Sequence, residues 1–221
     1  MQLYKRPFSR AYWRDEAAVA RKPRTLAFSA LMVAACVALS YLQSIPVVNN
    51  IRVTWGFLAR ALCALVGGPV NAIVFGAVED TVSYLMNPTG GAYNPYYILT
   101  TVLGVVTYAL FFYRARVTVL RIFLAKLLTN LQNVFLGSLG TYLWYSSKGY
   151  WVIVGGSAVK NAIMLPVQTV MLIILFSALL PILCRMGLLP RDAVHPKLLR
   201  ASDWIAALPG RLRGKNGTKS E

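Results

Sequence analysis

Six apolar stretches, each ended by a short polar or glycine–proline interruption, govern what this chain can fold into. They run from about Leu26 to Ser44, Phe57 to Val66, Val70 to Leu85, Tyr97 to Tyr113, Val119 to Tyr142 and Ala158 to Leu183. A helix needs about 20 mostly apolar residues to cross a bilayer, with a working range of about 17–25. The second stretch is short and stops at Gly67-Gly68-Pro69, so it is the least complete crossing. Hydrocarbon forces every backbone polar group to be paired internally, which makes these stretches helices. They are too long and too continuous for barrel strands. Composition agrees: 57% of the 221 residues are hydrophobic and 14% charged, against about 45–50% and about 25% in soluble proteins. The expectation is an all-α membrane protein, a multi-pass bundle of six transmembrane helices.

Charge placement orients the bundle. Seven Lys and Arg precede the first span, Arg114, Arg116 and Arg121 lie between the fourth and fifth, and eight run from Arg185 to Lys219. With six spans these regions share one side and hold 18 of the 23 basic residues. That side is expected to be the cytoplasm, with both termini there. The division is then a basic cytoplasmic tail over 1–24, a six-helix transmembrane domain over 25–185 and a second basic cytoplasmic tail over 186–221. A net charge of +16 raises the question of nucleic acid. The basic residues cluster in tails and one connection rather than over a folded polar face, which fits anionic lipid head groups and argues against nucleic acid.

Polar residues inside apolar spans are costly and usually face a cavity or a partner. Lys126, Asn130, Asn133 and Gly137 step along one face of the fifth span. Asn161 and Gln168 share a face of the sixth, and Gly76, Asp80, Ser83 and Asn87 a face of the third. Three polar stripes predict a pocket near the outer end; hydrogen bonds that merely hold the helices together are the alternative. Above it, Met86 to Tyr96 contains two Pro, two Gly, two Asn and no charge, a shaped turn rather than a linker. Arg52 and Lys160, near the outer end, would suit a ligand carboxylate. Arg60 and the Glu79–Asp80 pair sit at similar depth on either side of the Gly67–Pro69 turn, which predicts an ion pair. Ala30, Ala34 and Ala38 form a small-residue stripe suited to close helix contact.

Catalytic signatures are missing. The single histidine is His195, so a histidine-based triad or metal site lacks its base. No phosphate-binding Gly-x-x-x-x-Gly-Lys-Ser/Thr loop occurs. Cys36, Cys63 and Cys184 lack metal-ligand spacing. The chain is read as a non-enzyme with no cofactor and no ATPase site; if it drives uptake, the energy must come from a partner or an ion gradient.

Several segments resemble the substrate-binding S components of energy-coupling-factor transporters, in particular the folate group. They are Ser44-Ile45-Pro46, Ile51-Arg52-Val53-Thr54-Trp55-Gly56, Gly68-Pro69-Val70 with Asp80, the loop Asn87-Pro88-Thr89-Gly90-Gly91-Ala92-Tyr93-Asn94-Pro95, and Lys160-Asn161-Ala162-Ile163-Met164-Leu165-Pro166. Tyr41 stands where the family often has Arg, Ala59-Arg60 replaces its usual Pro, and Glu79 is unusual.

The resemblance implies a high-affinity binding subunit for ATP-driven uptake of folate or a related pterin, in the plasma membrane of a bacterium. It implies partnership with a transmembrane coupling subunit and two cytoplasmic ATPases, with Ala30, Ala34 and Ala38 contacting the coupling subunit. On this reading Trp55, Tyr93 and Tyr96 stack on the heterocycle beneath the Thr89–Gly90 turn. Asn130, Asn133, Asn161 and Gln168 bond it, and Arg52 or Lys160 meets the glutamate carboxylates. Cobalamin, pantothenate or a queuosine precursor is the alternative ligand within the family. A stand-alone carrier or channel is the alternative outside it.

Overall fold

The computed structural model describes residues 10–42, 46–48, 51–52, 55–86, 94–144, 146 and 149–190. Helices dominate: α1 (Arg10–Ala20), α2 (Pro23–Leu42), α3 (Phe57–Met86), α4 (Tyr96–Phe112), α5 (Val119–Gln132), α6 (Ser138–Trp144) and α7 (Tyr150–Arg185). A π-helical segment, Asn133–Gly137, joins α5 to α6. One small antiparallel hairpin, β1 (Pro46–Val48) with β2 (Ile51–Arg52), lies between α2 and α3.

The six expected spans map onto α2, the two arms of α3, α4, the α5–π–α6 run and α7. The arms of α3 meet at Gly68, whose φ of 78° no helix permits, and Pro69 cannot donate the hydrogen bond that would continue one. Arg60 and Glu79 lie 19 residues apart yet approach to 3.0 Å. A straight helix would hold them about 28 Å apart, so α3 folds back on itself at this break. Its first arm is only about 16 Å long, as the short second stretch implied.

Two expectations change. The fifth span is not one regular helix: the π segment widens a turn where Asn133 Oδ1 crowds the Cβ position of Gly137. The sixth span begins at Tyr150, not near Ala158, because Gly155-Gly156-Ser157 is helical rather than a loop. Tyr150 closes that end by packing edge-to-face on Tyr142, centroids 6.0 Å apart.

Helix α1 was not foreseen inside the basic N-terminal segment. It turns Tyr12, Glu16 and Val19 inward and leaves Trp13 and Arg14 exposed. Glu16 is fully buried and accepts a hydrogen bond from the Val70 backbone N–H. It therefore caps the second arm of α3, whose first N–H groups have no helical partner. Beside it, Ser29 of α2 accepts from Asn71 Nδ2 at 2.8 Å. An apolar core from α3, α4, α5 and α7 fills this end of the bundle, with Phe112 edge-on to Phe176 at 5.0 Å. Leu31, Leu85 and Leu120 point outward, as lipid-facing side chains do.

Candidate functional site

Above that core the same helices diverge around a cavity of about 350 Å³. Gly56, Phe57, Arg60 and Asp80 bring α3 and its entry to the wall, and Tyr97, Thr100, Thr101, Gly104 and Tyr108 bring α4. Lys126, Thr129, Asn130 and Gln132 come from α5, Asn133 from the π segment, and Asn161 and Gln168 from α7.

The spacing of these residues explains their convergence. Lys126, Asn130 and Asn133 step by four and three, so α5 and the first π residue present one polar face. Asn161 and Gln168 are seven apart and align on α7. Lys160 precedes Asn161 by one residue, about 100° around the helix, and it is exposed on the outside. The same rotation separates Tyr96 from Tyr97. Tyr97 faces the cavity, while Tyr96 packs on Trp144 at 5.8 Å and lies where a Cβ on Gly140 would come within 2.6 Å of its ring.

The wall is organised by hydrogen bonds. Thr101 Oγ1 donates to Asp80 Oδ1 at 2.9 Å. Thr129 Oγ1 donates to Tyr108 Oη at 3.2 Å, and Gln132 Nε2 donates to Thr107 Oγ1 at 2.9 Å. Asn130 Nδ2 donates to the Asn161 carbonyl at 3.3 Å. The amides thus tie helices together and still line the cavity. Gln168 is buried, and its Oε1 has no hydrogen-bond partner among the described residues.

Charges sit in the same wall. Arg60 grips Glu79 with two parallel hydrogen bonds, Nε to Oε2 and Nη2 to Oε1, both 3.0 Å. The predicted pair therefore forms, with Glu79 as the partner. Lys126 is 5% exposed, and its ammonium lies over the Phe57 ring, 4.3 Å from the centroid, a favourable cation–π geometry.

Of the residues singled out from sequence, the structure brings Asn130, Asn133, Asn161 and Gln168 together around the cavity. Trp55 is half-buried and just precedes the lining residues Gly56 and Phe57. The backbone of Arg52 lies in β2, but its side chain, like Thr89, Gly90 and Tyr93, falls outside the described part. Asp80 and Lys126, named in the polar stripes but given no ligand role, also line the cavity, as does Arg60, which was read only as half of an ion pair. All three are charges inside apolar spans, the signal that marked them. Nothing local marked Thr101, Tyr108 and Thr129, because isolated hydroxyls are common in membrane helices.

Ala30, Ala34 and Ala38 are all exposed on α2. Tyr41, at the family's frequent Arg position, donates from its hydroxyl to the Met86 carbonyl at 2.9 Å.

No protein-family model matches the chain. The folate transporter FolT of Clostridium novyi (strain NT) is 32% identical over 123 residues, covering 55% of this chain and 70% of that protein. A crystal structure of FolT bound with folic acid superposes with a TM-score of 0.60 at 24% identity, over 68% of this chain and 91% of that one. The fold is that of a multi-pass S component, and the chain belongs to the folate family of energy-coupling-factor S components.

Proposed function

We propose that this protein captures folate or a related pterin as the substrate-binding subunit of an ATP-driven importer in a bacterial plasma membrane. The observation that carries the reading is the cavity itself. Four helix segments turn buried amides, hydroxyls and a cation into one space of about 350 Å³, where solid apolar packing would otherwise be cheaper. That volume lies at the small end of ligand sites, roughly 300–1,000 Å³, which suits a folate-sized molecule better than cobalamin. Asn130, Asn133, Asn161 and Gln168 supply hydrogen bonds, and the rings of Phe57 and Tyr97 supply aromatic surface. The family resemblance further assigns Trp55, Thr89, Gly90 and Tyr93 to the ligand and Arg52 to its carboxylates, whereas Tyr96 and Lys160, turned away from the cavity, take no part.

Transport then requires partners. The exposed stripe of Ala30, Ala34 and Ala38 supports docking of α2 onto a transmembrane coupling subunit driven by two cytoplasmic ATPases, because small residues let helix backbones approach closely. The basic segments 1–24 and 186–221 lie on the cytoplasmic side in this reading.

Titrating the purified full-length protein with folic acid, followed by tryptophan fluorescence, tests the proposal. Saturable submicromolar binding is expected. Failure to bind folic acid, combined with a different vitamin co-purifying, would move the protein to another ligand.

A further inference from the structure

Two ionic groups in the cavity wall are left over once the internal pairs are counted. Arg60 and Glu79 satisfy each other. Asp80 accepts from Thr101 through one oxygen, and its carboxylate still lines the cavity. Lys126 lines it too, is 5% exposed and holds its ammonium over the Phe57 ring. Among the described residues no ion pair or hydrogen bond joins Lys126 to Asp80. Arg60, committed to Glu79, acts electrostatically on both groups from the same wall, yet no direct ion pair neutralises Asp80 or Lys126 among the described residues. Holding a buried Lys126 and a half-buried Asp80 in this way is unfavourable unless a bound group supplies donors to one and an acceptor to the other.

The geometry points to Asp80 and Lys126 as the pair that reads the 2-amino-4-oxopyrimidine edge of the ligand. This rests on the pterin reading above. That edge presents two adjacent N–H donors, the 2-amino group and ring N3, followed by the 4-oxo acceptor. A carboxylate is a planar double acceptor and an ammonium a pure donor, so acceptor, acceptor and donor meet donor, donor and acceptor. Thr101 holds the carboxylate in orientation, as a preorganised recognition group requires. The heterocycle therefore enters first and the glutamate tail stays toward the entrance. Specificity for the amino-oxo ring is set by α3 and α5, not by the outer loop.

The test is a ligand-and-protein double cycle on the full-length protein in detergent. Folic acid is compared with its analogue lacking the 2-amino group, on wild type and on Asp80→Asn. Wild type should lose about 30-fold in affinity for the analogue, the usual range for a hydrogen bond to a charged group. D80N should bind folic acid about 30-fold more weakly and discriminate the two ligands by less than about threefold, because the lost contacts are the same one. Lys126→Met should weaken folic acid binding yet keep the 2-amino discrimination. D80N that still discriminates as wild type does would overturn the assignment and leave the proposed function standing. Wild type that ignores folic acid would overturn the function itself. Should D80N fail to fold, wild type alone decides, since equal affinity for the two ligands refutes the assignment. Thr101→Val then provides the second variant, with partial loss of discrimination expected.

Discussion

Replacing Glu16 with Ala should release α1 from the break in α3. Glu16 is wholly buried, its carboxylate accepts from the Val70 N–H, and a Cβ on Gly68 would come within 2.7 Å of its Cγ and 2.9 Å of its Oε1. Ala leaves that N–H buried and unpaired, a cost of about 1–3 kcal/mol. The seat is also pH-dependent. Burial raises the Glu16 pKa from 4.5 to about 7, opposed by the backbone N–H groups of Val70 and Asn71 and by Arg114. Tyr12, raised by its own burial, and Tyr113 face the same point. Because docked α1 holds the proton more tightly than free α1, docking is strongest below pH 4.5 and weakens as pH rises through about 7. The span corresponds to roughly 3 kcal/mol. Hydrogen exchange of residues 10–20, corrected for intrinsic rates, reads it directly. Protection should fall between pH 5 and pH 8 in the wild type. In Glu16→Gln, which keeps an acceptor for Val70 without a titrating proton, protection should stay flat. Stronger protection at pH 8 than at pH 5, or an unchanged slope in E16Q, would refute the reasoning.

Three further outcomes are expected. Arg60→Met should lower thermal stability by about 3 kcal/mol, because it strands the buried Glu79 carboxylate, and adding Glu79→Gln should recover most of it; additive losses in the melting series would argue against a functional pair. Gln168→Leu should leave the melting temperature of the ligand-free protein unchanged or higher, since an unpaired buried oxygen is removed, while folic acid binding weakens about tenfold. Ala34→Leu should spare ligand binding by the isolated subunit and abolish uptake in cells carrying the full transporter, with co-purification of the coupling subunit as the direct readout.

Arg60 and Glu79 show how far sequence reached. The family's usual residues are absent at both places, and depth alone paired the two charges across the turn. The structure chose Glu79 over its neighbour Asp80, leaving Asp80 for Thr101. Along α5 and α7, period alone selected Asn130, Asn133, Asn161 and Gln168, all of which reach the cavity. Aromatic and cationic candidates near helix ends fared differently. A one-residue step turned Tyr96 and Lys160 away and turned Tyr97 inward.

What the chain determined by itself is set by hydrocarbon: the length of each apolar run, the helices it enforces, the glycine–proline break and the rarity of buried polar groups are local properties with large penalties. What only the tertiary structure decided is which rare polar groups satisfy one another and which face the cavity. That choice depends on helix rotation and on contacts between residues far apart in sequence, such as Glu16 with Val70 or Asn130 with Asn161. No periodicity encodes such contacts, because the energy that selects them arises only when the helices pack.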